Sequence, residues 1–166
     1  MESRAKFLGH PVHQMLIVLP AGLFVTAAVF DVVHLARGAT GPWATVSYWM
    51  IAAGIVGGLV AAVFGLIDYL AIPAGTRARR IGTMHGVGNV VVVALFAASW
   101  LLRRDAPERP EGFALACSFA GVALAAVTAW LGGELVDRLG VGVDDHANLD
   151  APSSLSGRSA RAEARR

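Results

Sequence analysis

Charge is scarce in this chain: only 16% of its 166 residues are Asp, Glu, Lys or Arg, against about 25% in an ordinary soluble domain. That shortage excludes a disordered chain and a basic nucleic-acid-binding surface, neither of which can be built from so few ionised groups. A single cysteine, Cys117, excludes a disulfide framework, and inside an apolar run it reads as a small packing residue. Catalytic spacing is missing too. There is no HExxH, no phosphate-binding glycine loop, and no serine, cysteine or threonine set beside a histidine as a nucleophile, so the chain does not read as an enzyme.

What is there instead is apolar mass. Hydrophobic residues make up 55% of the chain and the mean hydropathy is +0.58. The surplus is gathered into four runs, at residues 14–36, 43–70, 81–102 and 112–136. Each is long enough to cross a hydrocarbon core, which takes about 20 helical residues. None alternates as barrel strands do, so helix is the one spanning structure left. Lys6 and Arg4 precede the first run as they would in a signal peptide. That run is nevertheless longer than a signal core and carries Asp31 and His34, which predicts a retained helix.

The expected architecture is therefore an all-α membrane protein of four transmembrane helices. Short connections at 37–42, 71–80 and 103–111 make successive helices antiparallel neighbours in an up-down-up-down bundle. Residues 1–146 form the transmembrane domain, and the Ser-, Ala- and Arg-rich residues 147–166 are expected to be a disordered polar tail. No repeat of 20 to 50 residues is visible, which excludes a solenoid. Trp43, Tyr48, Trp49, Tyr69 and Trp100 fall near run ends, where amphipathic rings prefer the interface.

Basic residues set the orientation. One side carries Arg4, Lys6, Arg77, Arg79, Arg80, Arg138, Arg158, Arg161, Arg165 and Arg166, the other Arg37, Arg103, Arg104 and Arg109. The positive-inside rule then puts both termini in the cytoplasm of a multi-pass protein of the inner (plasma) membrane. The same arginines suit anionic lipid headgroups.

Ionisable residues inside the runs are costly, about 2.5–3.5 kcal/mol each on insertion scales, and mark candidate sites. In the first run His13, Ile17, Pro20, Phe24, Ala27, Asp31 and His34 share one helical stripe, and in the second Gly54, Gly58, Ala61, Gly65 and Asp68 do. His85, Asn89, Val92, Phe96 and Ser99 form the third stripe. In the fourth run two faces compete to point inward: Glu134 with Trp130 and Ala123, or the small stripe Gly121, Ala125, Thr128 and Gly132. Gly54 and Gly58 form a GxxxG pair suited to close helix approach.

The threading brings His10, His13, Asp68, His85 and Glu134 to the cytoplasmic end at similar depth, with His146 just beyond and Asn89 one turn deeper. Three imidazoles and two carboxylates there would suit a transition metal or haem. The carboxylates would then hold second nitrogens of ligating histidines. Plainer roles compete. His10 and His13 would lie among headgroups, and Asp68 and Glu134 would pair with Arg77, Arg79 or Arg138. Asp31 and His34 would bond to each other at the opposite end, and Asn89 would link helices. Three functions follow: a redox or electron-transfer accessory with a bound metal or haem and a redox partner protein, a structural or assembly protein without cofactor, and a small transporter or proton conductor using Asp31, Asn89 and Asp68.

The stretches GHPVHQMLIVLPAGLFVTAAVFDVV, FGLIDYLAIPAGTRARRIGTMHGVGNVVV and WLGGELVDRLGVGV resemble the bacterial membrane family catalogued as domain of unknown function 2231. The likeness rests on the HPxH opening, the aspartate ending the second run, HGxGN in the third and GGEL in the fourth. It implies a membrane protein and assigns no catalytic residue. Fusion of relatives to Rieske-type and cytochrome c modules implies redox work by association alone.

Overall fold

The computed structural model describes residues 1–163, so Arg165 and Arg166 lie outside the described residues. A two-stranded hairpin opens the chain, with β1 at Lys6–Phe7 and β2 at His10–Pro11. Leu8 and Gly9 both have positive φ, 51° and 87°, the tight reversal that two-residue hairpin loops require. Then come α1 (Val12–Leu16), α2 (Val18–Ala36), α3 (Trp43–Ala71), α4 (Arg77–Arg103) and α5 (Gly112–Gly133), which continues into a π-helical turn at Glu134–Arg138.

Among the described residues, four segments are long and apolar enough to cross a membrane: Val12–Ala36, Trp43–Ala71, Arg77–Arg103 and Gly112–Arg138. The first is interrupted at Ile17. Pro20 has no N–H for the carbonyl of Leu16 and its ring crowds that turn, which accounts for the break. The third begins at Arg77 rather than at residue 81, because Thr76 caps it: its side chain accepts from the Arg79 N–H at 3.1 Å. An N-terminal Thr cap lets three arginines occupy the first turn without leaving that donor unpaired. At the end of α3, Arg79 donates to the carbonyls of Tyr69 (2.6 Å) and Ile72 (3.2 Å) and lies over the Tyr69 ring at 3.9 Å.

The helices pack mainly as two hairpins, α2 on α3 and α4 on α5. At their centre the rings of Phe24 and Phe96 stack with centroids 3.9 Å apart and planes at 4°. Each ring has a glycine at its back. A Cβ at Gly54 would fall 2.6 Å from Phe24, and one at Gly121 would fall 2.8 Å from Phe96. Ile51, Ala27 and Val92 complete this core. Outward-facing Val25, Val29, Val56, Val63, Val87 and Val90 leave an apolar surface suited to lipid. In α5 the small stripe faces in: Gly121 and Thr128 are buried, whereas Trp130 is 66% exposed and Ala123 points out.

Candidate functional site

Two polar layers flank the phenylalanine stack. The first joins α1 and α4. His13 and His85 lie with ring centroids 6.3 Å apart and planes at 89°. His13 Nδ1 lies 2.9 Å from the carbonyl oxygen of Ala61, and His85 Nδ1 lies 2.9 Å from that of Thr128. A carbonyl only accepts, so both Nδ1 atoms donate, and in the neutral rings the lone pairs sit on Nε2. Each ring rests on a glycine. A Cβ at Gly65 would come within 2.8 Å of His13, and one at Gly132 within 3.2 Å of His85. Asn89 finishes the layer, donating to the His85 carbonyl (2.9 Å), reaching His85 Nε2 at 3.3 Å and accepting from Thr128 Oγ1 at 3.1 Å.

The second layer is an ion pair buried from every side. Arg103 donates from Nη1 and Nη2 to the two oxygens of Asp31 at 2.7 and 2.8 Å. Its remaining donors go to Ser99, Ser47 and Ser118, each at 3.2 Å. Ser118 donates in turn to Asp31 at 2.8 Å. Both charged side chains are wholly inaccessible, and α2, α3, α4 and α5 each contribute at least one partner. The fork-to-carboxylate geometry uses all five guanidinium N–H groups, the condition under which burying the pair is tolerable.

This layer corrects the sequence reading. Asp31 does not pair with His34, whose buried Nδ1 has no hydrogen-bond partner among the described residues. Arg103, counted there as a loop charge, is 1% exposed. The missed signal was its spacing, since Arg103 stands one turn beyond Ser99 and prolongs the third stripe by one step.

The five residues expected to converge are only partly together. His13 and His85 meet, but among the described residues no three histidine, cysteine or acidic side chains are grouped to hold a metal. Asp68 is taken by the N-terminal segment: Ser3 Oγ donates to its two oxygens at 2.8 and 2.7 Å, and the Arg4 and Ala5 amides donate to Oδ1 at 2.7 and 3.3 Å. Glu134 pairs with Arg77 at 2.6 Å. His10 is an exposed strand residue lying 3.3 Å from Ser154 Oγ, and His146 is exposed, its amide bonded to Asp144 at 2.8 Å. An open hollow of about 280 Å³ beside Trp130, Gly133, Glu134, Asp137 and Arg138 is lined by neither His13 nor His85.

The Asp68 clasp has a direct test. Asp68→Ala should speed hydrogen exchange at the Arg4 and Ala5 amides by about tenfold or more, as expected for losing bonds worth about 1.5–3 kcal/mol to a charged acceptor. Mass-spectrometric exchange of the N-terminal peptide reads this; an unchanged rate would mean that other contacts hold the segment.

The layers also repeat. His13 and His85, Phe24 and Phe96, and Asp31 and Arg103 each stand 72 positions apart. On the partner helices Gly54 and Gly121, Ala61 and Thr128, and Gly65 and Gly132 each stand 67 positions apart. In both halves an imidazole bonds the carbonyl one turn before the glycine beneath it, and a phenylalanine farther along rests on a second glycine. This period exceeds the 20 to 50 residues of a solenoid repeat.

Four lipid-length helices among the described residues, joined by one buried and one half-buried polar layer, define an integral membrane protein. Residues 9–145 match the family described as Predicted membrane protein (DUF2231), and the chain belongs to that family. No match was found among curated proteins or among solved structures.

Proposed function

We propose that this chain is an up-down-up-down four-helix membrane protein that holds a metal ion or haem through His13 and His85 and serves as an electron-transfer accessory. The observation that supports it is the pair of Nδ1 bonds to the Ala61 and Thr128 carbonyls. Metal-ligating histidines characteristically donate their second nitrogen to a carbonyl or carboxylate, which fixes the ring and presents Nε2. Backbone carbonyls here fill the role that sequence reasoning gave to Asp68 and Glu134. Basic residues at 4, 6, 77, 79 and 80 favour an orientation with this layer and both termini on the cytoplasmic side of the inner membrane. A redox partner protein would dock there.

Elemental analysis and a visible spectrum of the detergent-purified protein test the reading. Wild type is expected to carry a metal or a haem band that His85→Ala reduces by about tenfold or more, the scale on which ligand-shell changes act. A colourless, metal-free wild type with intact helicity would reject it.

A structural role without cofactor is the second reading. It is favoured by the complete engagement of Asp68, Glu134 and Asp31 with protein partners. It predicts that His85→Ala lowers stability while no metal is found in either protein. A conducting role for Asp31 has less support, because Arg103 and Ser118 occupy its oxygens.

A further inference from the structure

We infer that the His13–His85 layer takes one metal centre of low net charge, haem iron or copper(I), through the Nε2 atoms of two equivalent imidazoles. The inference rests on the metal-binding reading above and narrows it to a ligand class. Three observations carry it.

The first is equivalence. His13 and His85 occupy the same place in the repeated pattern, each anchored through Nδ1 to a helix carbonyl at 2.9 Å and each seated on a glycine; ligation by His85 leaves Asn89 its bond to the His85 carbonyl at 2.9 Å and displaces its 3.3 Å contact with Nε2. A centre with two like coordination positions matches such a pair, as haem iron with two axial imidazoles and linear copper(I) both do.

The second is spacing. Ring centroids 6.3 Å apart with planes at 89° match the separation that one shared metal atom requires. Two metal–nitrogen bonds of about 2.0–2.1 Å take up roughly 4 Å of such a gap, and the two ring radii account for the rest. Each carbonyl anchor limits how far its ring can turn.

The third is charge. Three carboxylates of the spans are already committed. Asp68 accepts from Ser3, Arg4 and Ala5, Glu134 is paired with Arg77, and Asp31 is locked to Arg103. Two neutral imidazoles leave the full charge of a zinc-like ion uncompensated beside lipid, where each charge is expensive. Ferrous iron in a porphyrin is neutralised by the ring itself, and copper(I) brings a single charge.

The full-length detergent-purified chain, stripped of metal, is titrated separately with haemin under reductant, with copper(I) and with zinc(II). The variants are wild type, His13→Ala, His85→Ala, His13→Gln and His85→Gln; the glutamines can still donate to the Ala61 and Thr128 carbonyls and so carry the test where an alanine variant fails to fold. One haem or one copper(I) per chain is expected. Affinity should fall about tenfold or more, and alike, on loss of either histidine. A six-coordinate low-spin spectrum identifies haem, and copper(I) stoichiometry without a visible band identifies the ion. Zinc(II) bound as tightly, or a centre kept after losing one histidine, overturns this inference while the metal-binding reading stands. Failure of all three titrations overturns both.

Discussion

Replacing Arg103 with alanine is expected to destabilise the bundle by about 3–5 kcal/mol, the usual cost of leaving one member of a buried ion pair alone. Asp31 would then be a carboxylate with no cation at a fully inaccessible position, and Ser47 and Ser99 would lose a shared partner. Asp31→Asn should fall in the same range, because the guanidinium keeps its charge and loses its counter-ion. The double change Asp31→Leu with Arg103→Met should recover most of the loss, since it removes both charges and leaves apolar volume behind. Helicity followed through a denaturing-detergent titration measures all four proteins. A single-variant loss below about 1 kcal/mol would place the pair in the weak, solvent-exposed class.

The second large effect is steric. Gly54→Ala and Gly121→Ala should each cost about 1–3 kcal/mol through overpacking. The new methyl groups would sit 2.6 Å from Phe24 and 2.8 Å from Phe96, and neither ring can retreat, because each is stacked against the other at 3.9 Å. Gly58→Ala is the control. It belongs to the same GxxxG pair as Gly54, yet a Cβ there meets Val93 at 3.4 Å and Pro20 at 3.6 Å, ordinary contact distances. Its stability should change by less than about 0.5 kcal/mol. Equal losses at positions 54 and 58 would mean that the pair acts through backbone approach alone, not through the aromatic stack.

These expectations show which parts of the molecule were legible beforehand. The four spans were, because hydrocarbon thickness demands long apolar runs and few alternatives satisfy the backbone. The inward stripes of the first three helices were legible too, since His13, Phe24, Asp31, Gly54, Gly65, His85 and Phe96 follow helical steps. Arg103 was not. It lies one residue past the last apolar position of its run, where a charge ordinarily belongs to a loop, and its carboxylate partner is 72 residues away. The clasp on Asp68 was hidden for a related reason: a short polar segment before the first helix carries no periodicity, and two of its bonds come from backbone amides that look the same in any sequence. Glu134 with Arg77 was foreseeable as chemistry, and it formed. The repeat escaped notice because few identities persist between the halves, chiefly the histidine, the phenylalanine and two glycines. At the third equivalent position the residues carry opposite charge.

That last difference has a consequence for assembly. Two helical hairpins of such similar shape could mate with themselves as well as with each other. Pairing two copies of the first would set aspartate against aspartate in a dry interior, and two copies of the second would oppose arginines. Each homotypic arrangement confines like charges without water, whereas the native pairing joins opposite ones. A single sign reversal between matching sites thus tells the two similarly built halves apart and discourages exchange of a hairpin between neighbouring molecules.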